Sequence, residues 1–191
     1  MYEFQGFDEN GMEVVKDTNN DGKITPVDRV VMKSALPKFY YGINTQASYG
    51  RFDLSLSFIG QNGGYLVNNT ALASMSINNF KSDRSVATKY YESGASANNS
   101  PRLTSQYLES SNFFRLNSAR LGYTFKSPAV GWLENATLYV TGQNLFTITN
   151  YSGFDPLINS PKALNGNQSL GIDYPRYPSA RTFMVGLTVK I

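Results

Sequence analysis

The sequence predicts an all-β chain: antiparallel strands from the wall of a transmembrane β-barrel, joined on one side by long loops. Three observations carry this. Apolar and polar residues alternate with a period of two in five segments. Aromatic side chains gather at the ends of those segments, where the interfacial girdles of a membrane barrel lie. Short and long connections alternate along the chain, so short turns fall on one side and long loops on the other.

The first segment, FYYGINTQASYG, places Tyr41, Ile43, Ala47 and Tyr49 on one face and Tyr40, Gly42, Asn44, Gln46 and Ser48 on the other. Gly50 follows, where a two-residue turn reverses the chain. In the second segment Phe52, Leu54, Leu56 and Phe58 alternate with Asp53, Ser55 and Ser57. The third, NSARLGYTF, sets Ala119, Leu121, Tyr123 and Phe125 against Ser118, Arg120, Gly122 and Thr124. In the fourth, ATLYVTGQNLF, Leu138 and Val140 oppose Thr137, Tyr139, Thr141 and Gln143. The last, TFMVGLTVKI, gives one apolar face of Phe183, Val185, Leu187, Val189 and Ile191.

A water-exposed β-sandwich gives the same alternation, so the loops decide. If the last strand ends in the periplasm, as in bacterial outer-membrane barrels, the connection from Thr147 to Arg181 is extracellular. The Lys126–Asn135 connection is then periplasmic, the long one from Asn62 to Asn112 extracellular, and the Gly50 turn periplasmic. The segment before Lys38 is extracellular. A sandwich has no reason to sort its loops in this way. A short helix is expected within Thr70–Tyr91, around Leu72, Met75 and Phe80.

Composition narrows the function. Of 191 residues, 41% are hydrophobic but only 16% charged, against about 25% charged in ordinary domains. No run of about 18 apolar residues offers a transmembrane helix. The chain has no His and no Cys, which removes imidazole catalysis, thiol nucleophiles and structural zinc. A catalytic triad lacks its base, and Glu92, Glu109, Glu134, Asp155 and Asp173 are scattered through polar loops, so no enzyme is expected. The net charge is +3, yet Lys33, Lys38, Arg51, Arg102, Arg115, Arg120 and Arg181 form no basic stripe, and no nucleic-acid partner is expected. The opening MYEFQGFDENG is not a signal peptide.

One motif carries chemistry. Residues 17–28 read DTNNDGKITPVD. Asp17, Asn19 and Asp21 stand at positions 1, 3 and 5 of a calcium loop, with Gly22 at the sharp turn. Lys23 would offer its carbonyl at position 7, and Thr25 and Asp28 fall at positions 9 and 12. Ile24 occupies the apolar anchor position. Thr25 and Pro26 are a favourable N-cap and first helical residue. Asp28 stands where an EF-hand has a bidentate Glu, and its shorter reach implies weaker binding. The expected metal is calcium, in a structural role.

The ordered blocks DTNNDGKIT, YYGINTQASYGRFDLSLSFIGQNGG, FFRLNSARLGYTF, LYVTGQNLFTITNYSGFDP and YPSARTFMVGLTVKI resemble the C-terminal part of the SusC/RagA-type TonB-linked outer-membrane transporters of Bacteroidota. The resemblance runs over nearly the whole chain. It implies a barrel of about 22 strands, closed inside by an N-terminal plug, in the outer membrane of a Gram-negative cell. It implies a SusD-like surface lipoprotein as partner, TonB as energy source through an N-terminal part, and an oligosaccharide or peptide ligand. Residues 1–38 would then be an extracellular loop with the calcium-type motif, and 39–191 the last strands of the barrel, a fragment unable to transport alone. The family's calcium-type loop carries over to Asp17, Asn19, Asp21 and Asp28. The terminal Ile191 replaces the aromatic that usually ends such barrels.

The alternative is a soluble secreted β-sandwich with a dockerin-like calcium loop, a carbohydrate-binding or adhesion module. Tyr65, Tyr90, Tyr91, Tyr107, Trp132, Tyr151, Tyr174 and Tyr177 would then stack on sugars, though bulky loop aromatics more often pack their own loops.

Overall fold

A computed structural model describes residues 1–74, 86, 88, 92–100, 102–126, 134–157, 162–164, 167–173 and 179–190. In chain order the strands are β1 (Phe4–Phe7), β2 (Glu13–Val15), β3 (Phe39–Tyr49), β4 (Phe52–Asn62), β5 (Tyr65–Val67), β6 (Leu108–Ser110), β7 (Phe113–Lys126), β8 (Asn135–Thr149), β9 (Lys162–Leu164), β10 (Asn167–Ser169) and β11 (Thr182–Lys190). A short helix, α1 (Asn69–Ser74), follows β5. No helix among the described residues is long and apolar enough to cross a membrane, which has no bearing on strands.

The chain divides into two compact units. One comprises residues 38–63, 112–150 and 178–191, and holds the five long strands as one antiparallel sheet in the order β11-β8-β7-β4-β3. The five expected segments are these strands. The β3–β4 hairpin turns at Gly50 and Arg51, with Tyr49 paired to Phe52. Gly50 has φ 61°, the left-handed residue that a two-residue turn with glycine first requires.

Register turns five amphipathic strands into one amphipathic sheet. Ala47, Leu54, Leu121, Val140 and Val185 form one continuous row across it. The next row on the same face is Tyr49, Phe52, Tyr123, Leu138 and Leu187. The opposite face carries Gln46, Ser55, Arg120, Thr141 and Met184 in register. Cross-strand pairs of this kind are what stabilise a sheet. On the polar face Arg120 pairs with Asp53 and lies 4.5 Å over the Tyr139 ring.

β7 runs four residues further back than the alternation from Asn117 suggests, and the reason is a bulge. Ser57 pairs with Ser118, but Phe58 pairs with Leu116, so β7 carries Asn117 as an extra residue. That residue changes the parity of the strand. Phe114 and Leu116, even-numbered, join the face of odd-numbered Ala119 and Leu121, and pair with Ile148 and Phe146. β8 accommodates the shift with an extra residue of its own, where Asn144 adopts φ 53°. The Asn144 side chain donates to the Ala180 carbonyl (3.1 Å) just before β11.

The second unit comprises residues 1–37, 64–111 and 151–177. The N-terminal segment is therefore gathered with the two long connections. Its strands are short: β1–β2, β5–β6 and β9–β10 are each a two-stranded sheet. Tyr2, Val15, Leu66, Val67, Tyr107 and Tyr151 are its buried apolar residues. Polar segments fill the rest, so hydrogen bonds do much of the joining. Tyr2 bridges Thr104 in parallel, its N–H donating to the Leu103 carbonyl (3.3 Å). Asn99 accepts the Glu13 N–H (2.8 Å) and donates to the Gly11 carbonyl (2.8 Å). The expected helix within Thr70–Tyr91 is present as α1, while Met75, Phe80 and Tyr91 lie outside the described residues, as does Ile191.

Candidate functional site

Two features bear on function: the apolar face of the long sheet and the polar loop at residues 17–28. The face is bounded by aromatics at both ends. At the hairpin end Phe52 and Tyr123 meet edge-on at 4.8 Å, and Tyr123 and Phe125 at 4.7 Å. At the other end Phe58 and Phe114 stack at 5.3 Å, and Tyr41 and Phe114 at 6.4 Å. From Tyr49 to Tyr41 along β3 is about 27 Å at 3.4 Å per residue, comparable with the apolar band of about 25 Å on membrane barrels. The rows between the aromatic ends hold Leu54, Leu121, Val140 and Val185, all exposed. Phe183 starts its strand, yet it pairs with Gly142 in the middle of the sheet and belongs to neither aromatic group.

Glycines admit the larger rings. A Cβ at Gly60 would collide with the Tyr41 ring, and one at Gly186 with the Tyr139 ring. The Tyr41 hydroxyl crosses Gly60 to donate to the Phe113 carbonyl (3.2 Å).

In the loop, every acidic side chain folds its own backbone. Asp17 Oδ1 accepts the Asn20 N–H (2.8 Å) and Oδ2 accepts the Gly22 N–H (2.7 Å). Asn20 and Gly22 have φ 58° and 79°, the left-handed conformations that bring those N–H groups back. Asn19 Oδ1 accepts the Asp21 N–H (3.2 Å), and Asn19 Nδ2 donates to Asp21 Oδ2 (2.9 Å). Asp21 Oδ1 accepts the Lys23 N–H (2.8 Å).

Asp28 closes the loop. It is fully buried. Its Oδ1 accepts the Thr18 N–H (2.9 Å), and Oδ2 accepts the Thr25 N–H (2.8 Å) and hydroxyl (3.3 Å). Thr25 is the N-cap of a single 3-10 turn, Pro26–Asp28, with Asp28 completing a capping box. The chain leaves that turn extended at Arg29, so the expected helix start gives one turn only. The N–H groups of Thr25 and Thr18 hold the Asp28 carboxyl below its ordinary value of 3.8. Ile24, at the anchor position, is exposed.

The donor set is all oxygen, as a hard cation requires, and a carboxylate oxygen with one N–H bond keeps a lone pair. Among the described residues no three His, Cys, Asp or Glu side chains converge on one point. Asp17, Asn19 and Asp21 sit together in the turn, and Asp28 reaches them through Thr18.

A second polar cluster, announced by no motif, gathers around Glu109. Glu109 accepts the Ser152 N–H (2.7 Å), the Ser152 hydroxyl (2.7 Å) and Asn68 Nδ2 (3.0 Å). Asn68 Oδ1 accepts the Ala71 N–H (2.8 Å), capping α1. The Tyr151 hydroxyl donates to Asp173 (2.7 Å). Burial, then that bond, then the charges of Asp173 and Glu109 push the Tyr151 phenol far above its ordinary value. Tyr107 and Tyr151 are thus buried packing residues, and Tyr65 lies under Lys33. Tyr90, Tyr91, Trp132, Tyr174 and Tyr177 lie outside the described residues.

No family model matches the sequence. Its relatives include two TonB-dependent receptors of Formosa agariphila, 32% identical over 97% of this chain and 30% identical over 91%. The TonB-dependent receptor SusC of Bacteroides thetaiotaomicron is 26% identical over 97% of this chain. The chain spans about a fifth of these relatives' length (19%, 19% and 18%). Solved structures of the RagAB peptide transporter share the fold. One superposes with TM-score 0.77 at 19% identity over 99% of this chain, and an "open-open" state with TM-score 0.73 at 20% identity over the whole chain. Each is covered over 22% of its length. The chain thus resembles, over nearly its full length, about a fifth of the length of the TonB-dependent receptors that include SusC, and it shares the fold of RagAB.

Proposed function

We propose that the chain forms the C-terminal strands of the barrel of a TonB-dependent outer-membrane importer of Gram-negative bacteria, with the apolar face of its sheet against lipid. The observation that carries this reading is the continuity of that face across five registered strands, with aromatics at both ends and a mainly polar face opposite. The connections 64–111 and 151–177 and the segment 1–37 would be extracellular, because each joins its strand at the end away from the Gly50 turn. The edge strands β3 and β11 would pair with further strands to close a barrel of about 22. TonB would act through a plug outside this chain. A SusD-like lipoprotein would cap the extracellular side, and the cargo would be an oligosaccharide or a peptide. RagAB is a peptide importer, which favours the second for that protein and leaves both open here.

We further propose that calcium binds the 17–28 loop through Asp17, Asn19, Asp21, the Lys23 carbonyl, Thr25 and Asp28, in a structural role. The relatives are receptors and the fold is a transporter's, which supports a non-catalytic reading. The soluble sandwich module is disfavoured by the same exposed apolar rows.

The test is fractionation of cells producing the whole receptor that carries this chain. It should remain in the outer membrane until detergent is added, co-purify with a surface lipoprotein, and support uptake only where TonB is intact. Recovery as a soluble protein would refute the reading.

A further inference from the structure

Asp173 is the most deeply buried acidic side chain after Asp28, at 1% exposure, and its two oxygens are treated unequally. Oδ2 accepts both the Tyr151 hydroxyl (2.7 Å) and the Thr70 hydroxyl (3.2 Å). Oδ1 is buried and has no hydrogen-bond partner. Among the described residues no Lys or Arg forms an ion pair with it. A buried carboxylate with one bare oxygen is costly. The backbone holds it there: the Asp173 N–H donates to the Val67 carbonyl (2.9 Å) and the Val67 N–H to the Gly171 carbonyl (2.8 Å).

The surroundings supply oxygen. A hydroxyl that donates its hydrogen keeps its acceptor lone pairs, so Tyr151 and Thr70 can each offer an oxygen while still donating to Oδ2. Glu109 is the other carboxylate acting on Tyr151, but both of its oxygens are engaged by Asn68 and Ser152. The carboxylate oxygen of this cluster left without a hydrogen bond is thus Asp173 Oδ1. Calcium affinity depends on the number of charged ligands, and one carboxylate among neutral hydroxyls matches a single positive charge.

We propose that Asp173 Oδ1, with the hydroxyl oxygens of Tyr151 and Thr70, binds a monovalent alkali cation. The site is separate from the 17–28 loop and independent of how the sheet meets the membrane. Occupancy would tie together three segments distant in sequence: the start of α1, the residues after β8, and the 171–173 bridge.

The experiment is hydrogen exchange on the whole receptor in detergent, in sodium chloride and in N-methylglucamine chloride at equal ionic strength, with calcium constant. At sodium ten times its dissociation constant, the amides of Val67, Ala71 and Asp173 should exchange about tenfold more slowly than without it. Asp173→Asn should abolish the difference and Asp17→Asn should leave it. Tyr151→Phe, which keeps the packing, should require more sodium for the same protection. Equal exchange in the two salts, or a sodium effect surviving Asp173→Asn, would overturn the proposal, as would protection by calcium in place of sodium.

Discussion

The carboxylate of Asp28 accepts the backbone N–H of Thr18 at 2.9 Å, ten residues earlier. With the Thr18 hydroxyl donating to the Asp28 carbonyl (3.2 Å), that bond brings the two ends of the polar loop together, so Asp28 bears on how the loop responds to acid, to chelation and to substitution.

Asp28→Asn should loosen residues 17–28 while leaving the long strands intact, because the charge-assisted bonds to Thr18 and Thr25 become neutral ones of about half the strength. Hydrogen exchange at Thr18 and Thr25 is the measurement. The same amides should gain protection from calcium and lose it on chelation, and equal protection in both conditions would sink the metal reading.

The pH dependence has a definite sign. A carboxyl held below 3.8 in the folded state contributes stability that is present above that value and is lost as pH falls through its folded value. Loop amides should therefore begin to exchange faster only in strong acid.

Glu13 behaves oppositely. Burial raises its pKa above 4.5, against the pull of Arg102 and Gln106, so its contribution is present below 4.5 and is lost as pH rises through the folded value. Its charge also helps burial to raise Tyr107 to about 12. Glu13→Gln keeps an acceptor for Gln106 Nε2 (3.0 Å) and removes the charge. At neutral pH the variant should slow exchange over residues 102–107; faster exchange would refute the burial argument.

The sheet makes a prediction about space. Gly60→Ala puts a methyl into the Tyr41 ring and the Phe113 carbonyl, whereas a methyl at Gly42 meets only the Phe58 carbonyl at 3.8 Å. Gly60→Ala should cost about 1–3 kcal/mol, and Gly42→Ala should be neutral or stabilising by about 0.5 kcal/mol. Urea midpoints of the receptor in lipid vesicles compare them.

What could be read from the sequence follows from physical range. Strand alternation is local, so the five long strands and the Gly50 turn were legible. A bulge breaks alternation, which hid Phe113–Leu116: Asn117 inverts their parity, and even-numbered Phe114 looks as if it faces the wrong way. The 17–28 loop was legible because its partners lie within eleven residues. Glu109, Asn68 and Ser152 were not, since they stand 41 to 84 residues apart and polar loop residues carry no periodic signal. The assembly of the N-terminal segment with residues 64–111 was hidden for the same reason: Glu13 and Asn99 meet across 86 residues.

The central claim is that one face of this sheet meets lipid and the other does not. Leu56→Arg should cost about 2–4 kcal/mol at mid-membrane and Ser55→Arg much less. The most direct measurement uses single cysteines, since the chain has none of its own. Spin labels at Leu54, Ser55, Leu56 and Ser57 of the whole receptor in vesicles would be read for collision with lipid-soluble oxygen and with a water-soluble relaxant. Labels at Leu54 and Leu56 should collide with oxygen and be shielded from the aqueous relaxant, and those at Ser55 and Ser57 should show the reverse. Four labels equally open to water would contradict the account.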